Sequence, residues 1–314
     1  MMKNNSKILI TGGNGMVGKA LTEWLLDTGY QVNVLQRRSA NRKNEYVERV
    51  GLNNFYWDVE AGELDTDCLH DVSVIVHLAG ASIGAGRWTA ARKRAIIDSR
   101  VNSINLVFSA LSAKKEHKVH TVISASATGY YKTHNDRVLV EESPSSDGFL
   151  GETCKAWESA VTQGCERLEI RSVLMRSGVI LDREEGIYAQ LRGMAQSGLG
   201  VIPGSGKQWL PWIHIEDAVR AYTWAVENKG LRGPYNMVSP EAVTLGQFMR
   251  ALAASLKKKI WLPPIPAFFV RLGMGQMSAL VLDSMNVSPS KLMMTGFDFN
   301  YANLTDAIHE LEDE

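Results

Sequence analysis

The chain has 314 residues, 45% of them apolar and 22% charged, a composition that builds a large core and excludes a disordered chain. Its 34 basic and 34 acidic residues cancel, so no overall field draws it to nucleic acid or an anionic membrane. Cys68, Cys154 and Cys165 are odd in number and widely spaced, which predicts neither a disulfide framework nor a zinc site, and no metal is expected. A polar start leading straight into Lys7, and a most apolar stretch at 260–270 broken by three prolines, predict a cytoplasmic protein.

In chain order, Ile8-Leu9-Ile10 reads as a parallel strand buried on both faces. A glycine cluster follows, then Met16, Val17, Ala20, Leu21, Trp24 and Leu25 recur with helical spacing, and Gly29 stands at the helix C-cap. Residues 31–35, 72–78 and 119–124 read as strands, and Thr89 caps a helix running towards Leu111. Further strands at 173–175 and 179–181 follow a helix around Trp157. Such alternation predicts a Rossmann-type, doubly wound parallel sheet over residues 7–236. From about Pro240 the texture changes to a capping box, Thr244 with Gln247, ahead of a helical stripe, and five of the nine prolines. Residues 237–314 are therefore expected to form a smaller, mostly helical lobe bordering a substrate cleft.

Thr11-Gly12-Gly13-Asn14-Gly15-Met16-Val17-Gly18 holds glycines in two overlapping registers, starting at Gly12 or at Gly13. Between a first strand and a first helix this is the dinucleotide fingerprint. One glycine makes the tight turn, the middle one admits the pyrophosphate, and the last lets helix and strand pack closely. The amides of Met16 and Val17 then face the anion at the helix N-terminus. At the end of the second strand, where an acidic residue would hold the ribose of NAD, stand Gln36, Arg37 and Arg38. Guanidinium forks suit a 2′-phosphate, so NADP(H) is expected over NAD(H).

These residues resemble the extended short-chain dehydrogenase/reductases, the group that includes sugar-nucleotide epimerases. Val74-Ile75-Val76-His77-Leu78-Ala79-Gly80 resembles the fourth strand, lining the adenosine side. Ser124-Ala125-Ser126-Ala127-Thr128-Gly129-Tyr130 resembles the fifth strand with its catalytic serine, and Trp212-Ile213-His214-Ile215-Glu216-Asp217 a late strand-to-helix signature. Arg87-Trp88-Thr89, Ser99-Arg100-Val101, Arg176-Ser177-Gly178-Val179 and Gly233-Pro234-Tyr235-Asn236, with the tail from Leu280 to Phe297, resemble one atypical branch. Its members are called epimerase family proteins and carry a C-terminal domain of unknown function. The resemblance implies a cofactor site of Gly12, Gly15, Met16, Val17, Gly18, Arg37, Arg38, His77, Leu78, Ala79, Gly80, Arg100 and Cys154. It implies Ser126 as the catalytic serine.

One part is missing. Reductive members use Tyr-x-x-x-Lys, the lysine lowering the tyrosine's pKa, and no tyrosine here has a lysine four residues on. In the expected helix Leu150 stands at the tyrosine position and Cys154 at the lysine position. Several readings stand open: Tyr130 or Tyr131 as acid/base, an inward Lys155, a reactive Cys154, or a protein that binds cofactor without turnover. The expected function is an oxidoreductase or epimerase-like enzyme acting on a small polar substrate, with Ser126 and Tyr130 as catalytic candidates. The alternative is a non-catalytic NADP(H)-responsive protein that meets a partner. A homodimer is an open state; neither nucleic acid nor a membrane is expected as a partner.

Other signals are weaker. Gly204-Ser205-Gly206-Lys207 breaks the phosphate-loop pattern and reads as a loop over the cleft. His117 and His120 read as surface histidines three apart on a helix, Glu216 and Asp217 as first-turn carboxylates, and Trp209, Trp212 and Trp261 as packing groups.

Overall fold

The computed structural model describes residues 6–37, 49–197 and 200–313, with backbone alone at 134–136. Arg38 lies outside the described residues. The predicted apolar runs become strands of one eight-stranded sheet: β1 (Lys7–Thr11), β2 (Gln31–Arg37), β3 (Leu52–Asp58), β4 (Glu63–Leu64), β5 (Val72–His77), β6 (Thr121–Ala127), β7 (Arg171–Ser177) and β8 (Gly233–Met237). Their order is β8-β7-β6-β5-β1-β2-β3-β4. All neighbours run parallel except the β3–β4 edge hairpin. The order reverses between β1 and β5, the switch point at which doubly wound sheets open a crevice.

Strand pleating sorts the side chains into two cores. Ile8, Ile10, Val74, Val76, Ile123 and Val173 pack with α1 (Met16–Asp27) and α5 (Ile215–Glu227) through Leu21, Leu25 and Tyr222. Leu9, Ile75, Val122 and Leu174, the intervening residues, face α2 (Ala90–Ala113) and α3 (Phe149–Arg167) through Val107, Phe108, Trp157 and Val161. The helix α4 (Gly186–Gln196) and α6 (Leu245–Ser255) lie beyond the sheet. A third core joins Tyr188, Ala195 and Trp212 to Phe248, Met249, Leu252, Ile308 and Leu311, so the C-terminal lobe takes part of its interior from upstream of residue 237. Residues 134–139 pair in parallel with Met285–Val287, tying the lobe back to the segment after β6.

The predicted caps form: Thr89 Oγ1 accepts from Arg92 N, and Thr244 with Gln247 makes the capping box. Gly29 follows α1 at φ +89°. Two expectations are corrected. His117 and His120 are not helical, because α2 stops at Ala113 with Lys114 extended, and His120 Nδ1 instead meets Thr121 Oγ1 at 2.8 Å. Trp261 is not a packing group; it is 77% exposed, with Lys259 Nζ 5.5 Å from its ring centre.

Candidate cofactor turn and substrate cleft

Of the two glycine registers, the structure selects the one that starts at Gly12. Gly12 turns the chain at φ +74°, and a Cβ there would lie 2.9 Å from Leu78 C and Ala79 N. A Cβ on Gly18 would lie 2.3 Å from Gly12 O, so only glycine lets α1 start this close to the turn. Gly15, its N donating to Gly12 O at 3.1 Å, is the exposed N-cap of α1. The first turn of α1 holds no acidic residue and its N-cap offers no side chain, so the amides of Met16 and Val17 keep their positive ends for an anion.

The turn is fixed from two sides. Asn14 Nδ2 donates to Gln36 Oε1 at 3.3 Å, and Gln36 Nε2 donates to Asn54 Oδ1 at 2.7 Å. Asn14 Oδ1, buried, has no hydrogen-bond partner in the protein. Gln36 thus puts a neutral amide where a carboxylate would repel a phosphate, and exposed Arg37 ends β2 beside it. On the other side Thr11 O accepts from Leu78 N at 3.1 Å, and Thr11 Oγ1 accepts from Ala79 N at 3.3 Å. Tight glycine contacts, an unsatisfied buried oxygen and a β2 end without a carboxylate together fit a dinucleotide.

His77 sits beneath this turn rather than in it. It is fully buried, with Nδ1 2.8 Å from Thr11 Oγ1 and Nε2 3.4 Å from Ser103 Oγ. Burial and the charge of Arg100 push its pKa down to about 3, leaving it neutral. Arg100 braces the loop after β5: its Nη1 donates to Ala81 O and Ile96 O, and its guanidinium packs against Gly80 and the Trp157 ring. Ser99 Oγ accepts from Ala81 N in the same brace.

At the end of β6 the chain meets α3 at three rungs one helical turn apart. Gly129 abuts Leu150, with a Cβ placed there 3.3 Å from Leu150 Cβ. Cys154 Sγ donates to Ala127 O at 3.7 Å, and Ser126 Oγ donates to Glu158 Oε1 at 2.6 Å. The tyrosine and lysine positions therefore face β6 as the resemblance implies, occupied by an apolar side chain and a thiol. Burial, reinforced by Glu158, pushes that thiol up to about 12, which makes Cys154 an inert packing group. Lys155, the next residue along α3, is half-buried.

Ser126 belongs to a buried network that sequence reasoning did not assemble. Arg176 grips Glu158 with Nε on Oε1 and Nη2 on Oε2, both at 2.8 Å, and also donates to Tyr131 Oη and Glu141 O. Tyr131 Oη donates to Asn236 Oδ1 at 2.6 Å, and Glu141 Oε1 accepts from Asn236 N at 2.8 Å. Burial opposes charge on Arg176, but the bonds and charge of Glu158 outweigh it and its pKa rises. Burial pushes Tyr131 up to about 12, and its proton is already given to Asn236. Tyr131 is thus a brace. Tyr130 is half-buried, its ring 3.6 Å from the Arg176 guanidinium carbon. One available signal was Arg176 itself, a charge at the end of the apolar run Val173-Leu174-Met175, which demands a buried partner.

Beyond β7 a small hollow of about 30 Å³, partly open to solvent, lies between α4, α6 and residues 280–283. Pro203 and Gln208, flanking the Gly204–Lys207 loop, line it together with Trp209. Trp212 is buried in the third core instead. Asp217, fully buried, accepts from the backbone amides of Asn300 and Tyr301 and so pins the C-terminal segment to α5. Among the described residues, no helix is long and apolar enough to cross a membrane.

Comparison with known proteins agrees with this architecture. Residues 8–158 and 180–237 match the NAD dependent epimerase/dehydratase family, and residues 265–311 match a domain of unknown function, DUF1731. The epimerase family protein YfhF of Bacillus subtilis is 36% identical over 308 residues, 97% of each chain. The crystal structure of human epimerase family protein SDR39U1 with NADPH is similar at TM-score 0.84 and 26% identity, covering 98% of this chain and 99% of that one. The UDP-glucuronic acid 4-epimerase of Bacillus cereus, in complex with UDP-glucuronic acid and NAD, shares the fold at TM-score 0.77 and 17% identity, covering 98% of both chains. With its glycine turn and C-terminal lobe both matched, this chain belongs to the NAD dependent epimerase/dehydratase family, as an epimerase family protein with a DUF1731 domain.

Proposed function

We propose that the protein binds NADP(H) in preference to NAD(H) and acts in the cytoplasm as an oxidoreductase on a small molecule held between the sheet and the C-terminal lobe. The observation that carries this reading is the turn at Gly12–Gly18 joined to a β2 end that is neutral at Gln36 and cationic at Arg37. When bound, the nicotinamide would supply the hydride donor or acceptor. The chain's own residues would do the rest: the Met16 and Val17 amides take the pyrophosphate, and Arg37 takes the 2′-phosphate, with Arg38 as a second candidate. Leu78, Ala79 and Gly80 would border the adenosine side. Tyr130 is the proposed proton donor. Ser126 would serve as an acceptor for a substrate hydroxyl, because its own proton is committed to Glu158.

A second reading has a specific observation behind it. Leu150 and Cys154 fill the places of the acid/base pair, and Ser126 and Tyr131 donate into a buried network. That arrangement favours a protein that responds to NADP(H) without turning it over. Titration with NADPH and with NADH, followed by nicotinamide fluorescence, tests the shared premise. Arg37→Ala is expected to weaken NADPH about tenfold and leave NADH unchanged. Equal affinity for both cofactors would remove the preference, and binding of neither would remove both readings.

A further inference from the structure

The segment that runs from the end of α6 through α7 (Ala267–Met274) carries large apolar side chains into solvent. Trp261 is 77% exposed, Phe268 67%, Phe269 60% and Leu272 72%. At roughly 150–250 Å² per aromatic side chain, the four present apolar area on the order of 500 Å², as much as the largest patch of a typical monomer. Helical spacing explains the division within α7. Val270 is buried on the inner side, while Phe268, Phe269 and Leu272 fall within an arc of about 100° on the outer side, with exposed Arg271 at its edge. The Phe268 and Phe269 rings meet edge to face, their centres 5.6 Å apart. The segment is tied to the body of the protein ahead of α7, where Ile265 N donates to Ile202 O and Gly204 N to Ile265 O, both at 2.9 Å.

The charge around these side chains is of one sign. Between Glu241 and Asp283 the sequence has no acidic residue, while Arg250, Lys257, Lys258, Lys259 and Arg271 lie there, all exposed. Among the described residues none of the three lysines forms an ion pair with a carboxylate. A helix C-terminus favours cations, which suits lysines at the end of α6, but it gives no reason for exposed aromatic rings beside them. Nucleic acid would engage the cations and leave the apolar arc unused. A second copy docked face to face would bring lysines against lysines.

We infer that this face docks on the surface of an anionic lipid bilayer, with Lys257, Lys258 and Lys259 at the headgroups and Trp261, Phe268 and Leu272 entering the interface. Aromatic and leucine side chains bordered by lysines and arginines are the composition of an anchor that lies on a membrane. Among the described residues no helix is long and apolar enough to span one. The proposal departs from the expectation of no membrane partner, which rested on a charge summed over the whole chain.

The test is co-sedimentation of the full chain with sucrose-loaded vesicles of phosphatidylcholine, alone or with about 30% phosphatidylserine. Binding is expected with phosphatidylserine, is expected to be far weaker without it, and should fall as salt rises from about 0.1 M to about 0.5 M. Phe268→Ser combined with Leu272→Ser, both at exposed positions, is expected to weaken binding more than tenfold. Replacing Lys257, Lys258 and Lys259 together by serine is expected to weaken it about a hundredfold, at about fivefold per cation. Both variants should keep the native near-ultraviolet circular dichroism and NADPH affinity. No sedimentation with either vesicle, equal sedimentation with both, or sedimentation indifferent to these substitutions in folded protein would each overturn the inference. So would light scattering that finds a dimer which Phe268→Ser with Leu272→Ser converts to a monomer, since that would assign the face to a second copy.

Discussion

His77 makes the cofactor turn's foundation sensitive to acid. Its imidazole is fully buried, and burial, with a smaller push from the Arg100 charge, drives its pKa down to about 3 against a hydrogen bond to the Arg100 backbone that raises it. In the unfolded chain an ordinary histidine takes its proton near pH 6.5. Between about pH 6.5 and pH 3 the unfolded state therefore binds a proton that the native state refuses, and stability falls as pH falls through that window. The contribution is present in full above pH 6.5, is diminished by about 2 kcal/mol at about pH 5, and approaches about 5 kcal/mol of loss near pH 3. His77→Asn keeps a polar group towards Thr11 Oγ1, 2.8 Å from Nδ1 in the native protein, and removes the titration. Urea unfolding followed by tryptophan fluorescence, from about pH 7.5 down to about pH 5, compares the two. The variant is expected to be less stable at neutral pH, because it leaves a small cavity, yet to lose about 2 kcal/mol less on acidification. Parallel pH curves for the two proteins would refute the assignment of His77 as a buried neutral base.

Three further outcomes follow from the same geometry. Gly18→Ala drives a Cβ to 2.3 Å from Gly12 O, a backbone atom that cannot give way, and is expected to weaken NADPH at least about tenfold in a fluorescence titration. Arg176→Met leaves Glu158 charged, buried and unpaired, so urea unfolding should register a loss of about 3–5 kcal/mol, much of it recovered by adding Glu158→Leu. Gly164→Ala puts a Cβ 2.2 Å from the Phe108 ring between α3 and α2; calorimetry should find a loss of about 1–3 kcal/mol, and titration an unchanged NADPH affinity.

What the sequence made legible was local. The strand–turn–helix at 8–25, the Thr89 cap and the Thr244–Gln247 box are each decided by residues within a few positions of one another. β3 was not legible because its polar residues mask a strand: Asn53 Nδ2 donates to Asn33 Oδ1, and Asn54 accepts from Gln36, so the polar side chains pair across to β2. α4 was missed too, its apolar face being spent on a core and cleft built from distant segments. The buried network escaped for a related reason. Ser126 meets Glu158 across 32 residues and Tyr131 meets Asn236 across 105, distances at which no periodicity carries information.

The missing acid/base pair is best understood from the face of α3 that should have carried it. Leu150, Cys154 and Glu158 are four apart, so they line one side of the helix, and each touches the end of β6. The helix has kept its placement and changed its load. An ammonium at position 154 would stand one turn from Glu158 and compete with Arg176 for the same carboxylate, whose two oxygens that guanidinium already engages. A neutral thiol avoids the competition and lets the Arg176–Glu158 pair close, with Ser126, Tyr131 and Asn236 satisfying the remaining donors and acceptors. A buried ion pair is tolerated only when its partners are all satisfied. The network therefore leaves no carboxylate on this face free for a second cation.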